Sequence, residues 1–199
     1  MTDTYFTISE PSEGIFKDKG SKFYGFAFPF ADETALKMKL DEIKQLHPKA
    51  RHHCFAYRIG TDDLNYRAFD DGEPSGSAGK PILNVLQSHH LRNVLVIVVR
   101  YFGGTLLGVP GLINAYKMAT QEAITNAQLI EKIITNKYQL SFEMNYMNEV
   151  MRLVKKFDLT VLSQGYTDQC QLEIAIRLSS EEEVLKEISE LRFVEVERV

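Results

Sequence analysis

The sequence predicts an α+β fold in two domains, a βαβ-type domain over residues 1–132 and a ferredoxin-like βαββαβ domain over residues 133–199. Three features carry this expectation. Val94 to Phe102 is an apolar run broken only by Arg100, as expected of a strand at the centre of a sheet covered on both faces. Short β-like stretches alternate with segments of helical spacing along the first two thirds. The last third then runs strand, helix, two strands, helix, strand. A chain of 199 residues has room for a domain of roughly 130 residues and a smaller companion.

Strand character opens at Thr4–Ser9, Gly14–Lys19 and Lys22–Phe28, the last carrying Phe23, Phe26 and Phe28. Asp32, Glu33 and Thr34 start a helix whose apolar positions Leu36, Leu40, Ile43 and Leu46 follow helical spacing, ended by His47-Pro48. Strands follow at His53–Ile59 and Leu64–Phe69, then a helix from Pro81 to His89, the apolar strand, and a helix from Pro110 to about Ala127. Leu129–Glu143 is extended. Beyond it come a helix (Tyr146–Lys156), strands (Leu159–Tyr166 and Gln169–Leu178), a helix (Ser180–Leu191) and a last strand (Arg192–Glu197). Ser179 and Ser180 each precede a glutamate by three residues, the spacing of a capping box.

Composition excludes several classes. The hydrophobic fraction of 44% with 25% charged residues is that of a folded globular protein. Two cysteines far apart, Cys54 and Cys170, form no disulfide framework and point to a reducing compartment. The opening Met1-Thr2-Asp3-Thr4-Tyr5 lacks the basic and apolar regions of a secretion signal, no run is long enough to span a bilayer, and the expected location is cytoplasmic, away from membranes. Formal net charge is -4, with 15 basic against 15 acidic residues over 1–136 and 8 against 12 over 137–199. Contact with a phosphate backbone therefore needs a local basic patch.

Two glycine-rich segments are the candidates for chemistry. The first, Asp70-Asp71-Gly72-Glu73-Pro74-Ser75-Gly76-Ser77-Ala78-Gly79-Lys80-Pro81, ends a strand and starts a helix, so its amide groups and Lys80 suit an anion. It is not a Walker A loop, because Pro74 and Pro81 stand where the first glycine and the hydroxyl belong. The second, Arg100-Tyr101-Phe102-Gly103-Gly104-Thr105-Leu106-Leu107-Gly108-Val109-Pro110-Gly111, follows the apolar strand and leads into a helix, where open sheets place ligands. Thr105 breaks the dinucleotide fingerprint. For both segments the alternative is that small residues only permit tight packing. Arg100, charged at the end of a buried strand, requires Asp70, Asp71 or Glu73 as partner, or a ligand.

His52-His53-Cys54 suggests a metal or a nucleophile. Alternation along a strand puts only His52 and Cys54 on one face, two ligands do not make a zinc site, and a core thiol is the simpler reading. No metal and no cofactor are expected. Glu181-Glu182-Glu183 reads as the solvated first turn of a helix.

Phe69-Asp70-Asp71-Gly72-Glu73-Pro74 with Gly76-Ser77-Ala78-Gly79, and Val99-Arg100-Tyr101-Phe102-Gly103-Gly104 with Leu107-Gly108, closely resemble the defining motifs of the YigZ/IMPACT family. The resemblance covers nearly the whole chain. It implies an N-terminal domain with a fold similar to the second domain of a small-subunit ribosomal protein and a C-terminal domain resembling those of translation elongation factors. The eukaryotic members regulate translation through protein contacts and an additional N-terminal domain, absent from a chain that begins at the shared domain. Some bacterial members carry a proline-dipeptidase label, for which no motif of a metal-dependent peptidase is found here.

The expected function is a translation-associated regulatory or binding protein contacting RNA, a ribosomal component or a regulatory protein. The expected site is His52, Asp70, Asp71, Glu73, Ser75, Gly76, Ser77, Gly79, Lys80, Arg100, Tyr101, Gly103 and Gly104, a glycine-rich pocket for an anionic ligand. The alternative is an enzyme acting on a small phosphorylated or carboxylated metabolite, with Asp70, Asp71 or Glu73 as acid or base and Ser75 or Ser77 near the anion.

Overall fold

The computed structural model describes residues 3–61 and 64–199. Met1 and Thr2, part of the opening read against a secretion signal, lie outside the described residues. The chain divides into two compact units, Tyr5–Lys132 and Ile133–Val199, the latter joined by the N-terminal residues up to Thr4.

The first unit is built on a five-stranded antiparallel sheet in the order β2-β3-β6-β4-β5, with β2 at Ser12–Asp18, β3 at Ser21–Pro29, β4 at His52–Arg58, β5 at Tyr66–Phe69 and β6 at Val94–Tyr101. The run that reads as one apolar block is the central strand, and its alternate residues serve two cores. Val94, Val96 and Val98 face α2 (Gly79–Ser88) and α3 (Gly108–Thr125) together with Phe23, Ala27, Cys54 and Ala56. Leu95, Ile97 and Val99 face the other way, with Phe26, Phe28, Phe55 and Tyr57, against Leu36 and Ile43 of α1 (Leu36–Leu46). Period-2 side-chain direction with both faces covered leaves no position for a polar residue until the strand end. A separate two-stranded ladder pairs β1 (Thr4–Ile8) with β7 (Leu129–Ile133).

The stretch Leu129–Glu143, read as one extended segment, is two strands. It breaks at Ile134, whose amide donates to the carbonyl of Asp3 at 2.6 Å and whose carbonyl accepts from Leu178 at 3.0 Å. After it, β8 (Thr135–Phe142), α4 (Met147–Lys156), β9 (Thr160–Tyr166), β10 (Cys170–Arg177), α5 (Glu181–Glu190) and β11 (Glu195–Arg198) form an antiparallel sheet in the order β11-β8-β10-β9, the ferredoxin-like arrangement. Tyr138, Leu140, Phe142, Leu172, Ile174 and Ile176 pack under Val150, Leu153, Val184 and Ile188. The opposite sheet face carries Lys137, Gln139, Ser141, Gln171, Glu173, Glu195 and Glu197. Between Glu173 and Ile174 the pairing slips by one residue, so that Ser163 and Val161 are partnered and Leu162 is the extra residue of a bulge in β9.

Local start signals misplace three helix ends. Both α2 and α3 begin two residues earlier than Pro81 and Pro110 suggest. The capping box at α5 does not form: Ser179 Oγ donates to Asp3, Ser180 Oγ donates to the carbonyl of Arg177, and a short 3-10 turn over Leu178–Ser180 precedes the helix. Glu181 is not simply solvated, because it accepts from Asn136 and from Tyr138.

Candidate functional site

The loop between β5 and α2 is organised by one carboxylate. Asp70 accepts from the amides of Gly76 (2.9 Å), Ala78 (3.0 Å) and Gly79 (2.8 Å), closing the loop as an internal cap on α2. This corrects the expectation of an anion bound at those amides, since the anion is supplied by the chain nine residues upstream. Ser77 is buried and donates to the carbonyl of Pro74 at 2.6 Å, Ser75 is exposed, and Gly76 adopts φ +73, which its lack of a Cβ permits. Lys80 is exposed at the second position of α2.

The two glycine segments meet through Glu73 and Arg100. Arg100 Nη1 donates to both Glu73 oxygens, at 2.6 and 2.9 Å, and the side chains retain only 8% and 3% of their exposure. Tyr116 of α3 donates to the same carboxylate at 2.8 Å, and Cys54 Sγ lies 3.3 Å from Tyr116 Oη and 2.9 Å from the carbonyl of Asp70. Burial, with Glu73, Asp71 and Asp70 nearby, pushes the Cys54 thiol well above its ordinary value, so it remains protonated and is no nucleophile. Burial likewise pushes up the Tyr116 hydroxyl, which stays a donor to Glu73.

Asp71 also works within the fold. Its carbonyl accepts from His52 Nδ1 at 2.8 Å and its carboxylate accepts from the His53 amide at 2.7 Å. The carboxylates offered as acid or base are thus engaged by amides or by Arg100. Gly103 donates its amide to Ser21 Oγ at 3.1 Å, and a Cβ on it would overlap the backbone of Gly20 and Ser21, so this glycine is required by packing. Gly104 has φ +89 with open space around it. Tyr101 lies on the α1 side of the sheet, its hydroxyl 3.0 Å from His47 Nδ1.

Where β4 begins and β6 ends, a recess of about 680 Å³ is lined by Lys49, Arg51, His52, Arg100, Tyr101, Phe102 and Leu106. His52 and Arg100 are cross-strand partners. Lys49 and Arg51 are exposed and form no ion pair among the described residues, and Phe102 is 57% exposed beside them. Of the expected site residues, Arg100, His52 and Tyr101 are therefore on the recess, and Lys80 is not among its lining residues. Sequence reasoning missed Lys49, Arg51, Phe102, Leu106 and the supporting Tyr116. The basic run Lys49-Ala50-Arg51-His52, directly after a helix stop, was the available signal. No group of three His, Cys, Asp or Glu among the described residues could hold a metal, and no helix among them is long and apolar enough to cross a membrane.

The Impact N-terminal domain matches residues 19–124 of the chain, which include every residue of the recess. The chain belongs to the IMPACT family. An IMPACT family member of Haemophilus influenzae is 38% identical over 151 residues, 75% of this chain and 73% of that protein. The IMPACT family member YigZ of Escherichia coli is 34% identical over 144 residues, 71% of each chain. Human Protein IMPACT is 31% identical over 145 residues, which are 70% of this chain and 42% of that one. Among solved structures, a hypothetical protein at 26% identity superposes with a TM-score of 0.71 over 100% of this chain and 98% of its own. The similarity to IMPACT family members thus reaches beyond the stretch matched by the N-terminal domain.

Proposed function

We propose that this IMPACT family protein is a translation-associated binding protein whose first unit takes RNA at the recess where β4 begins and β6 ends. The observation that carries the reading is the pairing there of two exposed cations without ion-pair partners among the described residues, Lys49 and Arg51, with the exposed ring of Phe102. Cations on phosphates and an aromatic face under a base are the two means by which proteins hold unpaired strands. Family membership is the reason for placing the activity in translation. The reading as an enzyme on a small metabolite has less support, because Asp70, Asp71 and Glu73 are each committed to fixed internal partners.

Fluorescence anisotropy with a labelled single-stranded 12-mer RNA over a salt series tests this. Two phosphate contacts give a slope of log K against log salt of about -1.4, and the Lys49→Ala/Arg51→Ala pair removes most of it with at least a tenfold loss at low salt. Absence of binding at the lowest salt for this RNA and for a hairpin rejects the proposal.

A further inference from the structure

Arg100 spends only one of its three nitrogens on the protein. Nη1 carries both hydrogen bonds to Glu73, while Nε is fully buried and has no acceptor among the described residues. Nη2 makes no hydrogen bond among them either. Nε and Nη2 share one edge of the planar guanidinium, and their parallel N–H groups match two oxygens of a phosphate or a carboxylate. A buried donor without an acceptor is costly, and such groups in native proteins call for an explanation. The guanidinium cannot turn freely to find one, because Glu73 holds Nη1 and the rings of Phe23 and Phe102 lie 5.6 and 5.8 Å from its central carbon. Glu73 is in turn fixed by Tyr116.

We infer that the Nε/Nη2 edge of Arg100 is the seat for the phosphate of a single nucleotide unit, with the nucleotide's base against Phe102. The inference rests on the reading of the recess as an RNA site and names the group that site holds. Phosphate is favoured over carboxylate by the second and third cations: two carboxylate oxygens would be satisfied by Arg100 alone, whereas the further oxygens of a phosphate have Arg51 and Lys49 on the same recess. A nucleotide is favoured over free phosphate by the volume, about 680 Å³, and by the exposed aromatic ring on its wall. His52, its Nδ1–H committed to the carbonyl of Asp71, lines the same recess.

Calorimetric titration of the full chain with AMP, adenosine, inorganic phosphate and acetate tests the inference. The expected result is that AMP binds at least tenfold more tightly than adenosine, that phosphate displaces it and that acetate does not. Arg100→Lys, which keeps a cation opposite Glu73 and removes the paired N–H edge, weakens AMP at least tenfold with the melting temperature little changed. Phe102→Leu weakens AMP but leaves phosphate unaffected, and being a surface change it serves if Arg100→Lys does not fold. Equal binding of adenosine and AMP, displacement by acetate as readily as by phosphate, or AMP affinity unaltered in a folded Arg100→Lys variant overturns the seat. The two proposals fail separately. RNA binding that is indifferent to Arg100→Lys removes the seat alone, and AMP binding by a chain that takes no RNA 12-mer removes the RNA reading alone.

Discussion

Glu73 is the residue on which the geometry of the site turns. It is the ion-pair partner of Arg100 among the described residues and it also accepts from Tyr116, so removing it leaves a guanidinium in a nearly dry environment without a counter-charge. Replacing Glu73 by alanine is expected to cost about 3–5 kcal/mol, the usual result of breaking a buried ion pair from one side. Tyr116→Phe, which deletes one hydrogen bond to a charged group, costs about 1.5–3 kcal/mol. The chain contains no tryptophan, so urea unfolding is best followed by circular dichroism. Equal, small effects of both changes would show that the pair is not held as described. A second residue-scale expectation concerns pH. Burial lowers the pKa of His53 below its ordinary 6.5, with Asp71 opposing and Lys44 and His47 adding to the effect; burial lowers that of His47 as well. The unfolded chain then binds protons that the folded chain resists. The stability these groups contribute is present above about pH 6.5 and is lost as pH falls through their folded values. His53→Gln flattens that decline in unfolding midpoints measured from pH 7.5 to 5, and an unchanged slope counts against the assignment.

At the scale of elements, α3 lies so close to the sheet that backbone touches backbone. A Cβ on Gly25 of β3 would run into the carbonyl of Ala119, and one on Gly14 of β2 into Glu122 and Ala123. Gly25→Ala therefore displaces α3 and is expected to cost about 2–3 kcal/mol, read as a fall in melting temperature of roughly 4–12 °C; an unshifted midpoint would mean that the helix has slack. These contacts also show what was legible in the sequence. Helical spacing in Leu36–Leu46, the aromatic residues of β3 and the apolar run of β6 were enough to locate those elements, because each buries one face or both. The starts of α2, α3 and α5 were not legible. Asp70 caps α2 from nine positions upstream and the serines before α5 turn to other partners, so local motifs pointed to the wrong residues. Of the candidate site, the need of Arg100 for a partner was legible, since a charge ending a buried strand demands a counter-charge, but the choice of Glu73 over Asp70, Asp71 or a ligand was not. Lys49 and Arg51 were not, because only the return of β4 alongside β6 brings that run beside Phe102.

Over the whole molecule, charge is divided as unevenly as the sequence suggests. The recess lies within Tyr5–Lys132, whereas the uncovered sheet face of the ferredoxin-like unit presents Glu173, Glu195 and Glu197 with no aromatic side chain among them. That face lacks the stacked rings by which four-stranded sheets of this kind hold single strands, and its carboxylates repel phosphates. RNA affinity is consequently expected to change by less than about twofold in Lys155→Glu/Lys156→Glu, changes that lie on α4, while the recess variants lose at least tenfold. Comparable losses from both sets would place the contact elsewhere.

The slipped pairing at Leu162 matters beyond the sheet that contains it. β9 forms the outer margin of its sheet, where a run of unpaired amides and carbonyls would invite a strand from another molecule to continue the ladder. One surplus residue puts successive groups out of step with any regular newcomer, although Val161, Leu162 and Tyr166 would otherwise make that margin adhesive. The irregularity thus makes this margin a poorer template for fibrous self-assembly.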